Sequence, residues 1–203
     1  MVNQSIDNMA YITEQEIRAR FERARREANT RYFSATEVLN ESQQISDSIK
    51  EYDIFLSHSS DDDDLIAGLK LILQTDFGFN VYVDWNDPQL NPNRVSPETA
   101  SILRERMSRC KSLVYAFSEN AKDSKWMPWE LGYFDGMKKS MVAVLPIEMV
   151  NSRNIKGSEY VGLYNVIDFA PTEEGAKGIW VNDGSKYVSF ERWLSGKKPF
   201  VHR

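Results

Sequence analysis

YDIFLSHSSDDDDLIAGLKLILQTDFGFNVYVDW, residues 52–85, holds one whole unit of a fold. YDIFLS (52–57) is a short apolar run that ends in turn chemistry, which reads as a strand. Residues 63–76 place Leu65, Ile66, Leu69, Ile72 and Leu73 at helical spacing. NVYVDW (80–85) is a second strand, apolar at alternate and adjacent positions alike. A strand, a helix and a strand in this order make a βαβ unit, and strands apolar on both sides belong in a parallel sheet covered on both faces.

The same alternation continues downstream. Ser96-Pro97 is a cap followed by a first-turn proline, and a helix runs from it to about Arg109. SLVYAFS (112–118) is a third strand, SKWMPWELGYFDG (124–136) opens a helix reaching about Lys138, MVAVLPI (141–147) is a fourth strand and YNVIDF (164–169) a fifth. The expectation is an α/β domain: a doubly wound, flavodoxin-like, five-stranded parallel sheet with its ligand beyond the C-terminal ends of the strands. Residues 1–50 read as an N-terminal helical extension. Thr13 and Glu16 form a capping box, Ile12 and Ile17 a hydrophobic staple, and Ile17, Phe21, Ala24, Ala28, Tyr32 and Ala35 an apolar side. Val38, Leu39, Ile45 and Ile49 extend that side less regularly, past a break near Asn40–Ser42. Arginines 18, 20, 23, 25 and 26 alternate with glutamates, which predicts a solvated, salt-bridged face. Residues 171–203 read as a hairpin (IWV, NDGS, KYV) and a short helix (SFERWL) packing on the domain of residues 51–170.

Bulk properties narrow the function classes. The 203 residues are 41% hydrophobic and 27% charged, ordinary for a globular protein. A net charge of −5 gives no electrostatic footprint for nucleic acid. Cys110 is the single cysteine and precedes an apolar run, so it reads as a buried structural thiol. With only His58 and His202 besides, zinc sites of the Cys/His kind lack ligands, and no metal is expected. The N-terminus lacks a signal-peptide pattern and no apolar run reaches membrane-spanning length, so the expected location is the cytoplasm, away from membranes.

Few residues carry chemistry. Asp61–Asp64 suggests a magnesium site of the receiver-domain kind, but the third and fourth strands end in Ser118-Glu119 and Ile147-Glu148 instead of the aspartate and lysine such a site requires. Four carboxylates opening a helix complement its positive end. No G-x-G-x-x-G follows the first strand and no Walker loop exists. Ser57 and His58 are neighbours at a strand end, and no third member of a triad is recognisable. In SKWMPWELGYFDG, Trp126 and Glu130 share a helix face that Phe134 extends, while Trp129 and Tyr133 form the next stripe. Pro128 is harmless in a first turn. From spacing alone these aromatics are either core or the wall of a ligand site.

EYDIFLSHSSDD, VYVDWNDPQLNP and SKWMPWELGYFDG, in this order and spacing, resemble a TIR domain of the bacterial type over residues 51–170. The W-x-x-x-E-L-G arrangement is the most specific part, and the Y-D-I-F-L-S-H opening the second. In enzymatic members the glutamate of this motif cleaves NAD⁺, so the resemblance implies Glu130 as the catalytic residue and Trp126 as its aromatic partner. It also implies substrate contacts from Ser57 and His58 at the first strand's mouth and from Asp84 and Trp85 after the second. NAD⁺ is then substrate and no cofactor is needed. Residues 86–97 match the BB loop, which implies gating of the site and self-association. A short TIR protein of this kind is similar to the signal-producing subunit of anti-phage systems such as Thoeris, whose product, a linear, cyclic or conjugated ADP-ribose, is sensed by a separate effector. Two alternatives stand beside this reading: a non-catalytic TIR scaffold, whose members commonly lack the glutamate, and a nucleoside deoxyribosyltransferase-like enzyme, which would need its own nucleoside-pocket motifs.

Overall fold

The computed structural model describes residues 11–27, 51–84, 90, 96–148 and 161–200. The expected continuation of the first helix from Ala28 onward, Trp85 and most of the loop 86–97 lie outside the described residues. In chain order the elements are β1 (Ile12–Thr13), α1 (Glu14–Glu27), β2 (Tyr52–Ser57), α2 (Asp63–Leu71), β3 (Val81–Tyr82), α3 (Pro97–Ser108), β4 (Cys110–Phe117), α4 (Met127–Lys138), β5 (Val142–Glu148), β6 (Asn165–Pro171), β7 (Lys177–Asn182), β8 (Tyr187–Ser189) and α5 (Phe190–Leu194).

The five expected strands lie in the order β3-β2-β4-β5-β6, every neighbouring pair parallel. The chain leaves β2 for β3 on one side and returns past β2 to β4 on the other. The strand order therefore reverses between β2 and β4, and a crevice opens beyond their C-terminal ends. Alternate residues feed two cores. Ile54, Leu56, Val114, Ala116, Ala143 and Leu145 pack with Ile17 and Phe21 of α1, with α2 and with Phe190 and Trp193 of α5. Phe55, Leu113, Tyr115, Val142 and Val144 pack against Leu103 and Met107 of α3 and Met127, Leu131 and Phe134 of α4.

Three more strands join the five, so the sheet among the described residues is eight-stranded and mixed. β7 runs antiparallel to β6, and β8 antiparallel to β7. Their NDGS turn closes on Asp183, whose carboxylate accepts from the Ser185 and Lys186 N–H groups at 3.1 and 2.9 Å, and Gly184 takes a φ of +91° that suits glycine. β1 adds in parallel to the far end of β5, Ile12 opposite Ile147.

At the head of α1 the Thr13 hydroxyl accepts from the Glu16 N–H at 3.1 Å, and Glu16 accepts from the Thr13 N–H at 2.9 Å. This is the capping box read from sequence, and Ile12 and Ile17 beside it are buried. The apolar side of α1 docks on α2 at Gly68, where a Cβ would stand 2.4 Å from the Ile17 carbonyl oxygen. The outer face carries the ion pairs Arg18–Glu14, Arg23–Glu27 and Arg25–Glu22, and Arg20 reaches Asp76. Two boundaries differ from the sequence reading. The helix expected over 63–76 turns from α to π at Ile72–Asp76 before Gly78 reverses the chain. The second strand shrinks to Val81–Tyr82, because it is an edge paired only with Ile54 and Phe55. Cys110 is buried, donates to the Arg106 carbonyl at 3.3 Å, and its thiol pKa is pushed well up by burial.

Candidate active site

Glu130 lies in the first turn of α4, beside the C-terminal ends of β2 and β4, and is 2% exposed. Its position follows from local chemistry. The Ser124 hydroxyl accepts from the Met127 N–H at 3.3 Å, Pro128 occupies the first turn where its missing N–H costs nothing, and the Glu130 N–H donates to the Trp126 carbonyl at 2.9 Å. The helix thus begins at Met127, with Trp126 at its cap position.

The Ser57 hydroxyl, at the end of β2, donates to Glu130 Oε2 at 2.6 Å. Burial is the main influence on this carboxyl and pushes its pKa up to about 8, aided by the nearby Asp84 charge and opposed by the Ser57 hydrogen bond. A buried carboxyl in that state is poised to ionise when a cation arrives beside it.

A cleft with about 550 Å³ of empty space, part of it open to solvent, faces Glu130. His58, Ser60 and Asp84 form one wall, Ser124, Trp126 and Glu130 a second, and Leu90, Thr99 and Leu103 a third. His58 Nδ1 is 3.0 Å from the Leu56 carbonyl oxygen and 3.7 Å from Asp84 Oδ1. Trp126 is half-buried and meets Trp129 edge to face at 5.4 Å, while Trp129 stacks on Tyr133 under the Arg104 guanidinium. Trp129 therefore buttresses the cleft wall without lining it.

Of the six residues singled out in the sequence, His58, Asp84, Trp126 and Glu130 converge on this cleft. Ser57 does not line it: at 1% exposure its hydroxyl is directed at Glu130. Trp85 lies outside the described residues. Sequence reasoning missed the third wall, although Thr99 and Leu103 are four apart on α3 and so share a face. It also missed a clamp behind the site. Asp62, read as one of four carboxylates serving a helix end, is 5% exposed and makes no side-chain cap. It accepts instead from the Ser118 hydroxyl at 2.5 Å and the Asn120 amide at 2.7 Å. These bonds tie the loop after β2, which carries His58 and Ser60, to the loop after β4, which leads to Ser124 and Trp126. No group of three His, Cys, Asp or Glu side chains among the described residues could hold a metal ion.

Comparison with known proteins supplies the family. The model of the Thoeris protein ThsB TIR-like domain matches residues 55–151. A Bacillus cereus (strain MSX-D12) protein named as a probable 3' cyclic ADP-D-ribose synthase, ThsB', is 46% identical over 165 residues, covering 79% of this chain and 84% of the relative. The chain belongs to the ThsB-type TIR family. A Cytobacillus dafuensis protein, TIR2, whose name gives it as a candidate cyclic ADP-D-ribose synthase, is 28% identical over 97 residues, which is 47% of this chain and 25% of that protein. Among solved structures, the TIR domains of the activated Roq1 resistosome bound to the effector XopQ match at 24% identity and a TM-score of 0.34, over 47% of this chain and 56% of that one, which adds nothing to the assignment. The ThsB-type match begins within β2 and includes all of β5, and so includes every cleft-lining residue named above.

Proposed function

We propose that this protein cleaves the nicotinamide–ribose bond of NAD⁺ and closes the remaining ADP-ribose on itself, producing a cyclic ADP-ribose signal in a Thoeris-like anti-phage system. The observation that carries the reading is the buried Glu130 carboxyl facing a Trp126-walled cleft at the reversal point of a TIR sheet. Kinship with a protein named as a 3' cyclic ADP-D-ribose synthase supports the cyclic product.

The chemistry suits one carboxylate. The nicotinamide ring leaves as a neutral molecule from a cationic state, so its departure needs no acid, unlike ordinary glycoside hydrolysis with its two carboxyl groups. Glu130 is placed to accept from the ribose hydroxyls and to face the oxocarbenium-like charge that develops at the anomeric carbon. At about 4 Å and an effective dielectric near 20 such a charge pair contributes about 4 kcal/mol, on the order of a thousandfold in rate. The substrate's own positive ring favours the ionised form of Glu130 as it enters. Ser57 fixes the carboxylate, and Trp126 offers a flat face to a heteroaromatic ring and excludes water. Trp85, next in the chain to Asp84, is assigned a further aromatic wall. The segment 86–97 is proposed to mediate self-association, and a separate effector to sense the product in the cytoplasm. No helix among the described residues is long and apolar enough to cross a membrane.

The test is incubation of the purified protein and Glu130→Ala with NAD⁺, with the products separated by mass. Nicotinamide release by the wild type alone, with a product lighter than ADP-ribose by one water, is the expected outcome. Equal turnover by Glu130→Ala would remove Glu130 from the reaction, and no turnover by assembled wild-type protein would favour a scaffold.

A further inference from the structure

A cleft wall orients a substrate ring only if the wall's own ring is held. Trp126 sits half-buried at the cap position of α4 and lines the cleft. Its indole meets Trp129 edge to face, with ring centres 5.4 Å apart and planes 81° apart. Trp129 in turn lies nearly parallel to Tyr133, at 5.5 Å and 13°. The Arg104 guanidinium stands 5.4 Å from the Trp129 ring centre and 5.7 Å from that of Tyr133. A line of contacts thus runs from α3, through the rings on α4, to the cleft.

Arg104 is exposed, and no carboxylate among the described residues pairs with it. Its neighbour Glu105 is taken by Arg106 and Arg109. The rings are therefore what holds the guanidinium, and a guanidinium suits them. Planar, delocalised and weakly hydrated, it can lie across two ring faces at once. The bridge also joins two walls. Thr99 and Leu103 on α3 belong to the third wall, with Leu103 next in the chain to Arg104, while Trp126 and Glu130 on α4 belong to the second. At the far end of the two helices the Lys138 ammonium donates to the Ser108 and Cys110 carbonyls at 2.9 and 2.5 Å, which fixes the end of α4 to the end of α3. Beneath the surface, Leu103 and Met107 share a core with Met127, Leu131 and Phe134. Arg104 supplies the tie on the outer side, one residue from the third wall and one ring from the second.

We propose that Arg104 is a positioning residue: through Trp129 it holds the Trp126 ring at the angle that receives the substrate's flat cationic ring, and it keeps the α3 wall at a set distance from the α4 wall. The inference rests on the proposed cleavage of NAD⁺. Stacking on Trp126 acts on the pyridinium ring both as it binds and as its bond stretches, whereas Glu130 acts on the charge that develops at the anomeric carbon. Loosening the wall removes binding common to both stages, so the loss falls on KM more than on kcat.

The experiment follows nicotinamide release against NAD⁺ concentration for the full chain, Arg104→Ala, Arg104→Lys, Trp129→Leu and the double variant Arg104→Ala with Trp129→Leu. In Arg104→Ala, KM rises about tenfold and kcat falls by less than about threefold. Arg104→Lys keeps the charge without the flat shape and recovers part of the loss, leaving KM about threefold above wild type. The double variant is no worse than Trp129→Leu alone, because Arg104 acts through that ring. The near-ultraviolet circular dichroism of Arg104→Ala changes in the indole region as the Trp126–Trp129 pair loosens, while the far-ultraviolet spectrum stays the same. An unchanged KM in Arg104→Ala would overturn the proposal and leave Arg104 a surface contact. Losses that multiply in the double variant would also overturn it, by showing that Arg104 touches the substrate itself. If Trp129→Leu does not fold, the two Arg104 variants carry the test, and a KM as high in Arg104→Lys as in Arg104→Ala with an unchanged indole spectrum refutes the proposal. Wild-type protein that releases no nicotinamide would instead overturn the reading of the function, and this proposal with it.

Discussion

Replacing Glu130 by glutamine should stabilise the protein at neutral pH while abolishing its chemistry. Burial and the Asp84 charge raise the folded pKa of Glu130 from 4.5 to about 8. A carboxyl whose folded pKa exceeds its unfolded one binds more protons in the native state throughout the window between the two values. Stability therefore falls as pH rises from about 4.5 to about 8, at roughly 1.4 kcal/mol per unit where the slope is full. Glutamine removes this slope yet keeps a carbonyl oxygen to accept from the Ser57 hydroxyl. Its advantage over the wild type should be small at pH 5 and grow to a few kcal/mol by pH 7. The assay is urea denaturation of both proteins at pH 5, 6, 7 and 8, with the difference in stability plotted against pH. A flat difference would refute the reasoning, because it would mean that Glu130 sits ionised in the fold at no cost. A gain that grows with pH, joined to lost nicotinamide release, would identify the site as one that gives up stability for function.

Two further substitutions test the frame around the site. Gly68→Ala puts a methyl 2.4 Å from the Ile17 carbonyl oxygen, so α1 must shift; a loss of about 1–3 kcal/mol in urea denaturation is expected, and an unchanged midpoint would show that α1 does not press on α2 there. Asp62→Ala removes the acceptor shared by Ser118 and Asn120 and should cost about 1–3 kcal/mol; because it unties the loops that carry His58 and Trp126, KM for NAD⁺ should rise by more than kcat falls, and a change in stability alone would limit the clamp to a structural role.

The parallel sheet was legible because its strands are apolar on both faces and alternate with helical runs, a pattern that βαβ packing alone accommodates. The capping box at Thr13 and Glu16 and the Ser96-Pro97 helix start were legible for the same kind of reason: each is a contact between residues a few positions apart. The π turn at Ile72–Asp76 was not, since helix-period spacing continues through it unchanged. The extension of the sheet by β7 and β8 was half legible, as a hairpin whose docking edge could not be read. At the site, spacing along one helix made it legible that Trp126 and Glu130 share a face, and both line the cleft. For Ser57 the sequence left the direction of the hydroxyl open, because a strand-end hydroxyl can turn either way until a buried acceptor, here Glu130, claims it.

The sequence by itself determined what depends on neighbours along the chain: the order of strands and helices, the caps, the helix face shared by Trp126 and Glu130, and the TIR motif. Tertiary structure alone decided what depends on groups far apart in sequence. Glu130 meets Ser57 across 73 positions and Asp62 meets Ser118 across 56, each pair joined only because β2 and β4 lie side by side at the reversal of the sheet. The raised pKa of Glu130 belongs to the same class. A carboxyl's proton affinity is set by the water it has lost and the charges around it, and here both follow from the packing of β2, β3 and α4 around one cleft.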